Sequence, residues 1–178
     1  NETRAFVEHI GKILNSAYPD FGPIINADET VMMFTSRRPG TTGGGQDADF
    51  HFYEDIYMSE RSDDGTWKPA KNMGEPVNDK FHDATVGLSP DGSRMLVYRE
   101  GDLYECDLEG DVWSKPKKLN KNINTKHSET SASFSPDGKK LYFVSNRDDL
   151  TRGGLDIFVS ELDEKGDWGD PKNLGFNI

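Results

Sequence analysis

The chain has 178 residues, 33% of them hydrophobic, and a formal net charge of −11. That length allows one domain with a sizeable core. The acidic balance disfavours binding to a nucleic-acid backbone, which needs a basic footprint, and no apolar run approaches the roughly 20 residues of a membrane-spanning helix.

Taken from the N-terminus, Ile10-Gly11 with Leu14-Asn15 is the first copy of a short signature: an apolar residue, Gly or Asn, two further residues, an aliphatic, usually Asn. It recurs as Met73-Gly74 with Val77-Asn78, as Leu119-Asn120 with Ile123-Asn124, and as Leu174-Gly175 with Ile178. Positions 11, 74, 120 and 175 lie 63, 46 and 55 residues apart, a spacing that belongs to repeat architectures. Inside the units, Asp28, Asp91 and Asp137 share a position, the last two within Ser-Pro-Asp-Gly. Pro presets the turn and Gly accepts a positive φ, so Pro-Asp-Gly between apolar runs predicts a hairpin. The runs that follow are Met32 to Phe34, Met95 to Tyr98 and Leu141 to Val144.

A third strand is predicted at Asp55-Ile56-Tyr57, Asp102-Leu103-Tyr104 and Asp156-Ile157-Phe158. A fourth is predicted over Trp67 to Met73, Trp113 to Leu119 and Trp168 to Leu174, each with a Pro soon after the Trp. Pro is tolerated chiefly in edge strands, so this strand is read as the outermost. Four short antiparallel strands per unit make one propeller blade. The predicted fold is therefore all-β: a partial β-propeller of three four-stranded antiparallel blades plus an N-terminal orphan outer strand at Ala5 to Ile10. Residues 1–10 form the N-terminal segment, 11–73 blade 1, 74–119 blade 2, and 120–178 blade 3 with the start of the next repeat. The orphan strand implies a start near a natural boundary, and three blades imply that further ones follow.

The stretches Phe134 to Arg147, Gly153 to Phe158, Trp168 to Gly175, Thr35 to Arg38 and Glu54 to Tyr57 resemble the WD40-like, Pro-Asp-Gly propeller repeats of TolB-type proteins. They are similar above all to the propeller of Bacteroidota envelope proteins, where it lies between tetratricopeptide repeats and a peptidoglycan-binding OmpA-like domain. The resemblance implies a periplasmic, outer-membrane-associated module with protein partners. Peptidoglycan would then be held only through a domain absent from this chain.

No catalytic set is readable. His9, His51, His82 and His127 are scattered, Cys106 stands alone, and a zinc or catalytic site would need convergent ligands. Cys106 is read as a half-buried filler. Ser62 to Trp67 resembles the Asp-box turn of sialidase propellers, one residue short, and that turn is itself structural. The acidic columns Asp20, Asp83, Glu129 and Asp55, Asp102, Asp156 recur once per blade and are assigned to the scaffold, tying turns or neighbouring blades. Arg38 and Arg147 share a column in which the second blade shows Gly101, and both are expected to pair with repeat carboxylates. No cofactor or metal is expected.

The repeat fails in the long first-blade loop. Arg37, Arg38, Asp47, Asp49, Phe50, His51, Phe52 and Tyr53 are the candidate partner-binding residues, because Arg and exposed aromatics anchor protein interfaces. Gly43 to Gly45 make the loop mobile. The alternative is a connector whose aromatics fold down as a blade cap. The chain is thus read as a non-enzymatic interaction module. A glycan-binding or hydrolytic propeller, or the propeller of a larger peptidase, stands as the alternative.

Overall fold

A computed structural model of the chain describes residues 6–147 and 153–175. Its strands are β1 (Asp20–Ile25), β2 (Val31–Ser36), β3 (Asp55–Glu60), β4 (Lys71–Asn72), β5 (Ala84–Leu88), β6 (Arg94–Arg99), β7 (Asp102–Glu109), β8 (Val112–Trp113), β9 (Lys117–Lys118), β10 (Glu129–Phe134), β11 (Lys140–Ser145), β12 (Asp156–Glu161) and β13 (Lys172–Asn173). They form three antiparallel sheets, β1-β2-β3-β4, β5-β6-β7-β8 and β10-β11-β12-β13, with β9 also on β7. These are three blades of a propeller, with the inner strands β1, β5 and β10 in succession.

The local reasons are legible in each sheet. At the second hairpin, Gly92 has a φ of 72°, and the Ser89 hydroxyl accepts the Arg94 N–H at 2.9 Å. In the first hairpin Asn26 replaces that Ser and accepts the Val31 N–H at 2.9 Å. Blades meet face to face because alternate strand residues point to opposite sides. Met33 and Ile56 of the first blade pack with Val77, Met95, Val97, Cys106 and Trp113. Leu96 and Leu103 of the second pack with Ile123, Phe143, Phe158 and Trp168. Cys106 is fully buried rather than half-buried, and burial pushes its thiol up to about 12.

The expected course of the fourth strand is corrected. The fourth strand does not run unbroken from Trp to the signature. Arg61 bridges Trp67 and Leu162 bridges Trp168, and only the pairs at β4, β9 and β13 rejoin the third strand further on. The intervening Pro69, Pro116 and Pro171 have no N–H to give to a ladder. Residues 6–10, part of the expected orphan outer strand, pair with no strand among the described residues. Phe6 and Val7 are exposed. Ala5, Ile178 and the third-repeat loop segment 148–152 lie outside the described residues.

Two of the signatures seal the blade they leave. Asn78 Oδ1 accepts the Ile56 N–H and its Nδ2 donates to the Ile56 carbonyl, both at 2.9 Å. Asn124 brackets Leu103 in the same way, at 2.8 and 2.7 Å. Asn15 makes the same backbone turn to Gly11, but among the described residues its amide meets only His9, at 3.4 Å.

Candidate functional site

The scaffold carboxylates define what surrounds the first-blade loop. Asp20, Asp83 and Glu129 accept the N–H of Ser16 (2.6 Å), Asp79 (2.7 Å) and Thr125 (3.0 Å), so each ties the turn after its signature. An Arg of the same blade closes the arrangement. Arg38 donates to Asp20 (2.7 Å) and the Leu14 carbonyl (2.8 Å), and Arg147 donates to the Ile123 carbonyl (2.7 Å) beside Glu129. The second blade fills the position with Arg99, not Gly101. Arg99 reaches Asp83 at 2.6 Å and the Val77 carbonyl at 3.0 Å. Arg99 ends β6 itself because only Glu100 and Gly101 separate β6 from β7, leaving no residue beyond the strand to supply the cation.

Burial separates these carboxylates. Asp83, with none of its surface exposed, is raised to about 6 by desolvation, against the pull of the Asp79 N–H and Arg99. At Asp20 burial also raises the carboxyl, but hydrogen bonds from Ser36, Ser16 and Arg38 outweigh it and hold the group below its ordinary value. The folded value for Asp83 lies above the ordinary 3.8, so its contribution to stability is complete below about 3.8 and is lost as pH rises through about 6. Carbon-detected NMR of the side-chain carboxyls should show Asp83 titrating near 6 and Asp20 below its ordinary value; a common midpoint would contradict the assignment.

The loop between β2 and β3 is built on this base. Thr42 caps Asp55 through its N–H (2.7 Å) and hydroxyl (2.8 Å). Gln46 bridges Phe52, the Asp47 N–H donates to the His51 carbonyl (2.9 Å), and the Tyr53 N–H donates to the Gly45 carbonyl (3.0 Å). A small hairpin results. Two of its glycines serve close packing: a side chain at Gly43 would run into the Lys80 backbone, and one at Gly45 into the Tyr53 ring.

Arg37 holds the hairpin from within. It donates to the Phe52 carbonyl at 2.9 Å, pairs with Asp47 and stands 3.6 Å from Asp49. Asp49 also faces His51 Nδ1 at 2.9 Å, and the His51 N–H and ring hold its carboxyl below its ordinary value. Tyr53 lies against the His82 ring, with centroids 4.4 Å apart, and Phe52 meets Tyr18 edge-on at 6.4 Å. Phe50 alone projects, 83% exposed, with a φ of 64°.

Seven of the eight candidate residues therefore converge on one hairpin. Arg38 does not; it turns into the scaffold and stacks on Tyr57 with its guanidinium carbon 4.6 Å from the ring centroid. Sequence reasoning missed His82 and Glu54. The His82 ring nitrogens lie 3.3 Å from Asp47 and 3.4 Å from Glu54, fastening the hairpin to the second blade. The neighbouring repeat acid Asp83, whose N–H donates to the Glu54 carbonyl at 2.8 Å, was the available signal. Among the described residues, no group of three His, Cys, Asp or Glu side chains converges as metal ligands, and no helix is long and apolar enough to cross a membrane.

No family model matches the chain, and no curated protein matches it. Solved structures do. A protein provisionally named TolB from Agrobacterium tumefaciens superposes with a TM-score of 0.51 at 17% identity, over 93% of this chain and 65% of its own. A protein provisionally named a phosphatase from Bacteroides thetaiotaomicron gives 0.53 at 15% identity, over 86% of this chain and 35% of its own. The chain thus spans less than two thirds of either neighbour. At these identities the likeness is one of fold: the chain folds as three blades of a β-propeller, similar to that of the protein named TolB.

Proposed function

We propose that the chain is a non-enzymatic protein-interaction module of a cell-envelope protein, acting in the periplasm in association with the outer membrane. The observation that carries this reading is the first-blade hairpin. It is fixed at its base by Arg37 and His82 and holds Phe50 out in water. An exposed aromatic on a pre-organised support costs little ordering on binding, which is how a small contact gains affinity. The TolB-like fold supports the envelope setting, and any hold on peptidoglycan belongs to a separate domain.

The test uses the immobilised chain and detergent-solubilised envelope extract. Phe50→Ser should abolish capture of the partner and leave the thermal unfolding midpoint unchanged, since Phe50 contributes almost no buried surface. Undiminished capture by the variant would overturn the reading.

A further inference from the structure

The two junctions between blades differ at their outer rims, and the difference leaves an unfilled groove at the first. At the second junction Arg94 of β6 crosses to the third blade. It stands 3.3 Å from Glu105, donates to the Gly138 carbonyl at 2.8 Å, and lays its guanidinium carbon 4.6 Å from the Phe134 ring centroid. Strand pairing identifies the same positions at the first junction. Val31 opens β2 as Arg94 opens β6, Met58 lies opposite Met33 as Glu105 lies opposite Leu96, and Leu88 ends β5 as Phe134 ends β10. The cation, its carboxylate and the ring on which it stacks are thus all replaced by aliphatic side chains.

What remains is a cleft of about 610 Å³ between the first and second blades, within the range of ligand sites. Its floor is Val31, Met33, Met58, Leu88, Leu108 and Trp113. Its rim carries Glu60, Asp91 and Asp111, and neither Lys nor Arg lines it. Beyond Trp113 the cleft continues past Lys71 and Glu75. Glu60 is engaged by Lys68 at 2.7 Å. Asp91 remains ionised over the whole working range, because hydrogen bonds from Ser89 and Ser93 lower its carboxyl to about 2. Met58 takes the position of Glu105, whose carboxylate meets the Trp168 indole at the neighbouring junction.

We propose that this groove binds an arginine-bearing peptide segment of a partner protein, whose guanidinium takes the position that Arg94 occupies at the neighbouring junction. The chemistry is complementary on each count. Aliphatic and thioether side chains accept the methylene stem and flanking apolar residues. The Asp91 and Asp111 carboxylates offer charge-assisted acceptors to the guanidinium, and the Trp113 ring offers a face for the cation. The groove lies at the Val31 end of β2, whereas the hairpin carrying Phe50 follows its Ser36 end. Binding here is therefore separable from binding there.

The test titrates the peptide acetyl-Leu-Arg-Leu-amide into ¹⁵N-labelled protein and follows the three Trp indole signals. The expected result is a saturable shift confined to Trp113, weakened at least about tenfold when citrulline replaces arginine, since citrulline keeps the shape and removes the charge. The double variant Val31→Arg/Met58→Glu copies the neighbouring junction into the groove and should abolish the shift while the Trp67 and Trp168 signals stay in place. Asp111→Asn, at an exposed turn, should weaken binding without touching the core and serves if the double variant does not fold. Absence of a saturable shift up to about 10 mM peptide, equal binding of the citrulline peptide, or parental affinity in the variants would overturn the proposal.

Discussion

Asn124→Ala should lower the free energy of unfolding by about 3 kcal/mol, whereas Asn15→Ala, at the same repeat position, should change it by less than about 0.5 kcal/mol. The Asn124 amide brackets the N–H and carbonyl of Leu103 and also donates to the Leu119 carbonyl at 3.1 Å. Leu103 is fully buried, so removing the amide leaves backbone groups with neither protein nor water to replace it. An unpaired buried polar group costs about 1–3 kcal/mol. Among the described residues Asn15 has no third strand to bracket, and its amide already faces water. Urea denaturation of the two variants side by side decides the matter. Equal losses would mean that the cost comes from the turn itself and not from the bracketed strand.

The second large effect lies at Arg99. Arg99→Met should cost about 3–5 kcal/mol at pH 7, because it strands the fully buried Asp83 carboxylate without its cation. The double variant Asp83→Leu/Arg99→Met should recover most of that loss, since replacing a whole buried ion pair with apolar groups is often near neutral. The deficit of the single variant should also narrow as the pH falls towards about 6, because Arg99 lowers the Asp83 carboxyl and without it the proton is taken up above that value. A double variant as unstable as Arg99→Met, or a deficit indifferent to pH, would show that Arg99 acts through its stacking on Tyr104 or its bond to Val77 rather than through charge.

The blades were legible because their punctuation is local. Ser-Pro-Asp-Gly turns, apolar runs and the Asp-aliphatic-aromatic starts of third strands each fit within a few residues. The scaffold role of Asp20, Asp83 and Glu129 followed from their recurrence. Arg99 escaped because counting along the chain places Gly101 in its column, while strand pairing, which decides what the side chain meets, places the cation two residues earlier. The break of the fourth strand at Pro69, Pro116 and Pro171 was signalled by those residues, yet its consequence depends on which N–H groups the third strand seeks. The loop residues were visible as a departure from the repeat. Their arrangement was not, since His82, which fastens Asp47 and Glu54, arrives from another blade. The apolar groove at the first junction was equally hidden: Val31 and Met58 are unremarkable residues until Arg94 and Glu105 show what their positions hold elsewhere.

The signature turns also bear on where this polypeptide tolerates being opened. Connectors between blades are surface segments, the usual choice for grafting an insertion or relocating the termini. Here the connector 74–78 seals Ile56 behind it through Asn78 and receives Arg99 ahead of it on the Val77 carbonyl. Severing it would unfasten two sheets at once. The tight β6–β7 turn has no slack to spare, whereas the first-blade hairpin closes on itself through its own backbone bonds. Cargo for display belongs at the tip of that hairpin, and the short links joining the blades should remain uncut.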